Sequence, residues 1–195
     1  MATRIQVGKT WWGQAWLKAL EGCDYANRLP RGKSYFVHGR VEFRGVDSES
    51  HCLEAFVHGS AYAPYVVNLG LKPFTQQECS RLLDRLCSDS LLLAQLLDGE
   101  LPSEVAQICN ELGIELFPNS SRDLTMLCTC PDSAHLCKHI AAFIYFLADV
   151  IDADPFVLFK IRGLDLVHAL KAKGVSLEES VKEKPLTLEQ LLEPI

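Results

Sequence analysis

Apolar residues recur along this chain at several different spacings, and each change of spacing marks an element. Trp12, Trp16 and Leu20 fall four apart, which predicts a helix over residues 11–21 with one buried face. Thr10 can cap it and Gly22 can stop it, while Trp11 points off the buried face. Arg28, Pro30, Arg31 and Gly32 then read as a loop. After the loop the spacing drops toward two. Tyr35, Val37, Val41 and Phe43 share one parity within residues 33–44, and strand-like runs follow at 52–58 and 62–71. Gly45-Val46-Asp47-Ser48 and Gly59-Ser60 supply turns, so these runs are predicted to form an antiparallel meander.

Helical spacing returns after residue 72. Thr75 and Glu78 form a capping box ahead of a helix that ends near Cys87, with Cys79, Leu82, Leu83 and Leu86 as its stripe. Residues 91–97 make a second helical segment, and Pro102-Ser103 opens a third that Gly113 stops. Residues 114–117 read as a short extended piece, and Leu124, Met126 and Cys128 alternate as in a strand. Residues 138–151 are apolar over most of a helix circumference, the pattern of a helix buried at the centre of its domain. Asp154 with Pro155 starts another helix, and 164–171 form one more. Residues 173–185 turn polar like a linker. The capping box Thr187-Leu188-Glu189-Gln190 then precedes Leu191 and Leu192, a turn too short to be stable alone.

The predicted class is α+β. Residues 1–72 form an N-terminal helix, basic loop and small antiparallel sheet, and 73–117 a helical region. Residues 118–172 form a finger with its following helices, and 173–195 a linker and short amphipathic tail.

The finger is the stretch Cys128-Thr129-Cys130-Pro131-Asp132-Ser133-Ala134-His135-Leu136-Cys137-Lys138-His139. It sets three thiols and an imidazole in two tight pairs. Residues two apart on an extended chain point to the same side, and Pro131 and Asp132 favour the turn that returns the second pair to the first. Three sulfurs and a nitrogen suit a tetrahedral zinc ion, with Zn–S about 2.3 Å and Zn–N about 2.0 Å. Cys128, Cys130, Cys137 and His139 fill its four positions and leave none for water, which predicts one structural zinc ion (Zn2+). His135, between the pairs, is the alternative fourth ligand. A disulfide is the competing reading, but Cys-x-Cys closes too short a loop for good bridge geometry.

Cys-x-Cys, a short gap, Cys-x-His and an apolar helix together resemble the SWIM zinc finger. Trp11-Trp12-Gly13 with Trp16, Arg31-Gly32-Lys33-Ser34-Tyr35 and Gly39-Arg40-Val41 resemble the amino-terminal part of bacterial SWIM zinc finger proteins. Asp154-Pro155-Phe156 with Arg162-Gly163 resembles the part that follows the finger helix. The likeness spans about residues 8–165. SWIM fingers are DNA-binding or protein-interaction modules, and bacterial members are companions of Swi/Snf-type helicase-like ATPases. The resemblance therefore implies a non-catalytic subunit of a DNA- or RNA-handling complex, with such a motor as its protein partner.

Charge sharpens this picture. The net charge is −6, which disfavours a strong nonspecific nucleic-acid binder. Residues 1–45 nevertheless hold eight Lys/Arg against three Asp/Glu, whereas 46–127 hold four against twelve. In the basic front, Arg28, Arg31, Lys33, Arg40 and Arg44 are candidate phosphate contacts, with Trp11 or Tyr35 stacking on a base. The acid balance favours an interaction subunit within a nucleic-acid-handling complex over a free-standing nucleic-acid-binding protein.

Other chemistries fit less well. Hydrolytic zinc needs an open coordination position, and the four ligands close the site. Gly32-Lys33-Ser34 lacks the earlier glycine of a phosphate loop. His38, His51 and His58 fall on or beside predicted strands and read as solvent-facing. No run of about 18 apolar residues suggests a membrane span, and the first residues lack the apolar core of a signal peptide. The expectation is a cytoplasmic protein with reduced thiols, in which Cys23, Cys52, Cys79, Cys87 and Cys109 are small buried hydrophobes.

Overall fold

The structure, a computed structural model, describes residues 6–21, 27–46, 52–119 and 123–173. Among them the chain runs through α1 (Trp11–Glu21), α2 (Leu29–Val37), β1 (Val41–Val46), β2 (Leu53–Val57) and β3 (Tyr65–Leu71). It continues through α3 (Gln76–Cys87), α4 (Ser90–Leu97), α5 (Ser103–Glu111) and β4 (Leu124–Cys128). The described part closes with α6 (Lys138–Ala153), α7 (Val157–Lys160) and α8 (Leu166–Ala172). The class is α+β, as the spacing indicated. The linker and tail proposed for 173–195 lie outside the described residues apart from Lys173, as do Cys23 and His51.

The strands form one antiparallel sheet in the order β1-β2-β3-β4. Val41 faces Val57, Ala55 faces Val67, and Val67 in turn faces Cys128. A bulge at Phe43/Gly45, with Gly45 at φ 118°, bends the edge strand where a side chain would be strained. Leu53, Ala55, Val57, Val67, Leu69, Leu124 and Met126 are buried on the face that packs against α6.

Helix α6 is the post on which the rest is mounted. Nine of its sixteen residues are buried, including Ile140, Phe143, Ile144, Leu147 and Ile151, because the sheet, α1 and α2 all pack against it. Near its far end the Asp152 carboxylate accepts hydrogen bonds from Lys9 N (2.7 Å), Thr10 N (3.0 Å) and Thr10 Oγ1 (2.5 Å). That negative charge sits at the start of α1, where the orphan N–H groups and the helix dipole favour it. Thr10 Oγ1 accepts in turn from Gly13 N at 3.1 Å, the cap expected from sequence. A Cβ on Gly13 would lie 2.1 Å from Asp152 Oδ1, so glycine is what lets the two helices approach. Trp16 Nε1 donates to Ile144 O at 3.2 Å and Trp12 Nε1 to Ile151 O at 2.9 Å, which satisfies the buried indole of Trp16 and the half-buried one of Trp12.

Residues 28–37 depart from the sequence reading. The expected loop and the first half of the expected first strand are helix α2, with Pro30 in its first turn, where the missing N–H costs nothing. The cause is a long-range contact. A Cβ on Gly32 would come within 2.3 Å of Ala141 Cβ and 2.6 Å of Ala141 C, so α2 lies directly on α6 at this glycine. The period of two was fortuitous: Tyr35 is helical and Val37 is 38% exposed. His38 consequently ends α2 instead of lying on a strand, and it is exposed as expected. Residues 114–117 form no strand, with a bend at 116–117 and Ile114 and Leu116 buried.

The helical region matches its pattern more closely. Thr75 Oγ1 accepts from Glu78 N (3.2 Å) and Glu78 Oε2 from Thr75 N (2.7 Å), which completes the capping box. These hydrogen bonds hold the Glu78 carboxyl below its ordinary value. Asp154 Oδ1 accepts from Phe156 N at 3.0 Å, but the chain makes tight turns before the short α7, so Asp154 closes α6 more than it opens a long helix. Arg162 is buried, donates from Nη1 to Glu115 O at 2.8 Å and lies 4.4 Å from the Phe74 ring centroid. Burial pushes the Cys109 thiol up to about 12, consistent with an inert core cysteine. All these helices contribute to one apolar cluster that continues into α6.

The close approach at Gly32 sets a stability prediction. Gly32→Ala should destabilise the protein by about 1–3 kcal/mol through overpacking, read as a lower urea midpoint at unchanged slope. An unchanged midpoint would mean that α2 does not rest on α6.

Candidate metal centre

Strand β4 delivers the first donor pair. Cys128 is its last residue, and Cys130 follows after a single intervening residue. Thr129 N donates to Val66 O at 3.1 Å and Thr129 Oγ1 accepts from Val66 N at 3.0 Å, which pins the Cys-Thr-Cys turn to β3. The chain then doubles back through Asp132, whose Oδ1 accepts from Ala134 N at 3.1 Å, an Asx-type turn. Arg28, at the start of α2, adds an ion pair to Asp132 with Nη2···Oδ2 at 3.2 Å.

Helix α6 delivers the second pair from its first turn. Cys137 is the N-cap, and its Sγ accepts from Ile140 N at 3.5 Å. His139 is 3% exposed, and its Nδ1 lies 3.8 Å from Cys128 Sγ and 3.9 Å from Cys137 Sγ. One ligand atom from each of Cys128, Cys130, Cys137 and His139 lies within 4.8 Å of the other three. Sulfurs about 2.3 Å from a tetrahedral ion stand roughly 3.8 Å apart, so the cluster is of the size such an ion requires. These four residues can hold a metal ion. His135 is exposed and outside the group, so the structure selects His139 of the two histidines weighed from sequence.

The histidine ring is held by neighbours that spacing alone does not reveal. Tyr65, the first residue of β3, packs on it with centroids 4.4 Å apart, and Tyr35 of α2 meets it edge-on at 5.5 Å. Nε2 is buried without a hydrogen-bond partner, which leaves Nδ1, facing the sulfurs, as the nitrogen for an ion. A Cβ on Gly59 would fall 2.6 Å from the Tyr65 ring and 3.0 Å from His139 Nε2. The glycine that read as a turn signal also leaves room for this stack.

The thiols differ in proton affinity. Cys137 is held well below the ordinary thiol range, first by its hydrogen bond with Cys128, then by His139 and Ile140 N. Cys128 is pushed up, first by that same hydrogen bond and then by burial, and burial pushes Cys130 up. The hydrogen-bonded thiols therefore favour negative charge at Cys137 and protons at Cys128 and Cys130, and those protons must leave before all three sulfurs can ligate.

The structure divides the proposed nucleic-acid contacts. Tyr35 and Arg40 border the metal centre, with Arg40 Cζ 4.9 Å from the Tyr35 centroid. Arg31 and Lys33 are exposed on α2, so the basic segment is a helix and not a loop. Lys138, not singled out from sequence, joins them with Nζ 5.1 Å from the Tyr35 centroid. Arg28 is tied to Asp132. Arg44 lies on the sheet face away from α6, bonded to Glu42 at 3.1 Å and 4.9 Å from the Phe56 centroid. Trp11 is remote from the centre, donating Nε1 to Leu101 O at 2.8 Å and packing edge-on to Phe117.

No family model matches the chain. No solved structure matches it. The chain is 36% identical over 162 residues to Uncharacterized protein Rv2102 of Mycobacterium tuberculosis, an alignment that covers 83% of this chain and 58% of that protein. The chain thus spans less than two thirds of the relative's length. No helix among the described residues is long and apolar enough to cross a membrane.

The thiol pattern predicts the pH dependence of loading. Because Cys128 and Cys130 hold protons that the ion must displace, affinity falls as pH falls, and loading at neutral pH should release about two protons per ion. Calorimetry in buffers of different ionisation enthalpy measures this number. Release of no protons would contradict the assignment of three sulfur ligands.

Proposed function

We propose that this chain is a non-catalytic binding module in which one structural zinc ion at Cys128, Cys130, Cys137 and His139 organises a surface for nucleic acid. The donor set supports zinc, since three thiolates and an imidazole in a closed tetrahedron suit a d10 ion without geometric preference. The ion would close the chain between β4 and α6 and contribute folding free energy. Asp132, the one acid of the finger, is engaged by Arg28 and Ala134 N.

The observation that carries the nucleic-acid reading is the unpaired positive charge on α2, at Arg40 and at the start of α6. Arg31, Lys33, Arg40 and Lys138 have no carboxylate partner among the described residues, although the whole chain is acidic. Such cations on α2 and on the first turn of α6 can contact phosphates without reading sequence. The resemblance to bacterial SWIM proteins supports a place beside a helicase-like ATPase, which would supply the motor that this chain's sequence does not encode. The acidic segment 46–127, where Leu91 is 72% exposed, is the surface proposed for that protein partner.

A salt series with single- and double-stranded DNA and RNA tests this reading. Three or four phosphate contacts give a slope of about −2 to −3 in log affinity against log salt for single strands. An Arg31→Glu, Arg40→Glu double variant should keep its zinc and its melting temperature and lose most of the binding. Absence of binding at the lowest salt would overturn the nucleic-acid assignment and leave the face to a protein.

A further inference from the structure

Two of the basic residues are not merely near the metal centre but share one ring with it. Tyr35 meets His139 edge-on, with 71° between the ring planes, and the same tyrosine lies 4.9 Å from Arg40 Cζ and 5.1 Å from Lys138 Nζ. Lys138 stands between two of the four donors, Cys137 and His139, so its backbone is fixed whenever both are bound. Arg40 is exposed and Lys138 half-buried, and neither has a carboxylate within ion-pair distance among the described residues. Two cations held against one ring repel each other, and the ring face offsets that only in part. An anion bound beside this ring, within reach of both side chains, would supply the missing countercharge.

We infer that Arg40, Lys138 and the Tyr35 ring form a single phosphodiester-binding site whose shape the metal ion sets, so that zinc and nucleic acid strengthen each other's binding. The inference rests on the nucleic-acid reading above and adds the residues and the coupling. The physical route is short. An ion on Nδ1 fixes the plane of the His139 ring, already enclosed between Tyr35 and Tyr65. A fixed His139 holds Tyr35, and Tyr35 holds the two cations. Without the ion, the imidazole keeps only its ring and sulfur contacts and holds Tyr35 less firmly. Because the coupling is a free energy between two sites, it acts equally in both directions.

The test measures zinc affinity of the full chain by chelator competition, with and without a saturating single-stranded oligothymidylate at low salt. In the natural sequence the oligonucleotide should tighten zinc by about tenfold, within the usual range of such couplings. Tyr35→Phe keeps the ring and should keep the effect. Tyr35→Leu should still load one zinc and still bind oligothymidylate through Arg31 and Lys33, but with the tenfold effect reduced to near unity. Arg31→Gln weakens oligonucleotide binding and should leave the effect at saturation unchanged. A coupling that merely reflected folding of the whole chain would survive Tyr35→Leu, and that result overturns the inference. Zinc affinity indifferent to an oligonucleotide that binds the natural sequence overturns it too, while leaving the nucleic-acid reading intact. No oligonucleotide binding at all overturns both.

Discussion

The packing of α6 is the constraint on which the rest depends. Its apolar circumference receives the sheet on one side and α1 and α2 on others, and its first turn carries Cys137 and His139. A helix in that position must have its N-terminus satisfied and its entry angle fixed, or every element packed on it shifts. The Cys/His cluster answers both needs. Cys137 caps the helix while facing the other donors, and β4 brings Cys128 from the sheet that α6 covers. Asp152 performs the matching task near the other end, tying α6 to the start of α1.

Close helix approach and the Cys/His cluster reinforce one another around α2. Gly32 lets α2 lie on Ala141, two residues beyond His139, and that contact puts Tyr35 against His139. Arg28 at the head of the same helix reaches Asp132 in the finger turn. The basic residues of α2 are therefore held by two contacts to the finger and one to the core helix. Arg44 and Trp11, although basic or aromatic and close in sequence, are placed elsewhere by the sheet pleat and by the hydrogen bond to Leu101.

What could be read from sequence was what depends on local spacing. The four donors were legible because the two tight pairs aim their own side chains. The same holds for the Thr75–Glu78 capping box, the alternation of Leu124, Met126 and Cys128, and the all-round apolar pattern of α6. Helix α2 was not legible, because Pro30 and Gly32 are loop signals locally and become helical through contact with Ala141, more than a hundred residues away. The stack of Tyr35, His139 and Tyr65 was hidden for the same reason, as it joins three elements. Lys138 was passed over as the residue between two ligands, although its place beside them was visible in the motif itself.

The central claim is that a single ion in a closed shell of three sulfurs and one nitrogen holds β4 to α6. X-ray absorption at the zinc edge of the purified full chain tests it most directly. Four-coordinate zinc with three scatterers at about 2.3 Å and one at about 2.0 Å is the expected result. A shell containing oxygen, or five or six ligands, would contradict it and would make the centre an open site for a bound water.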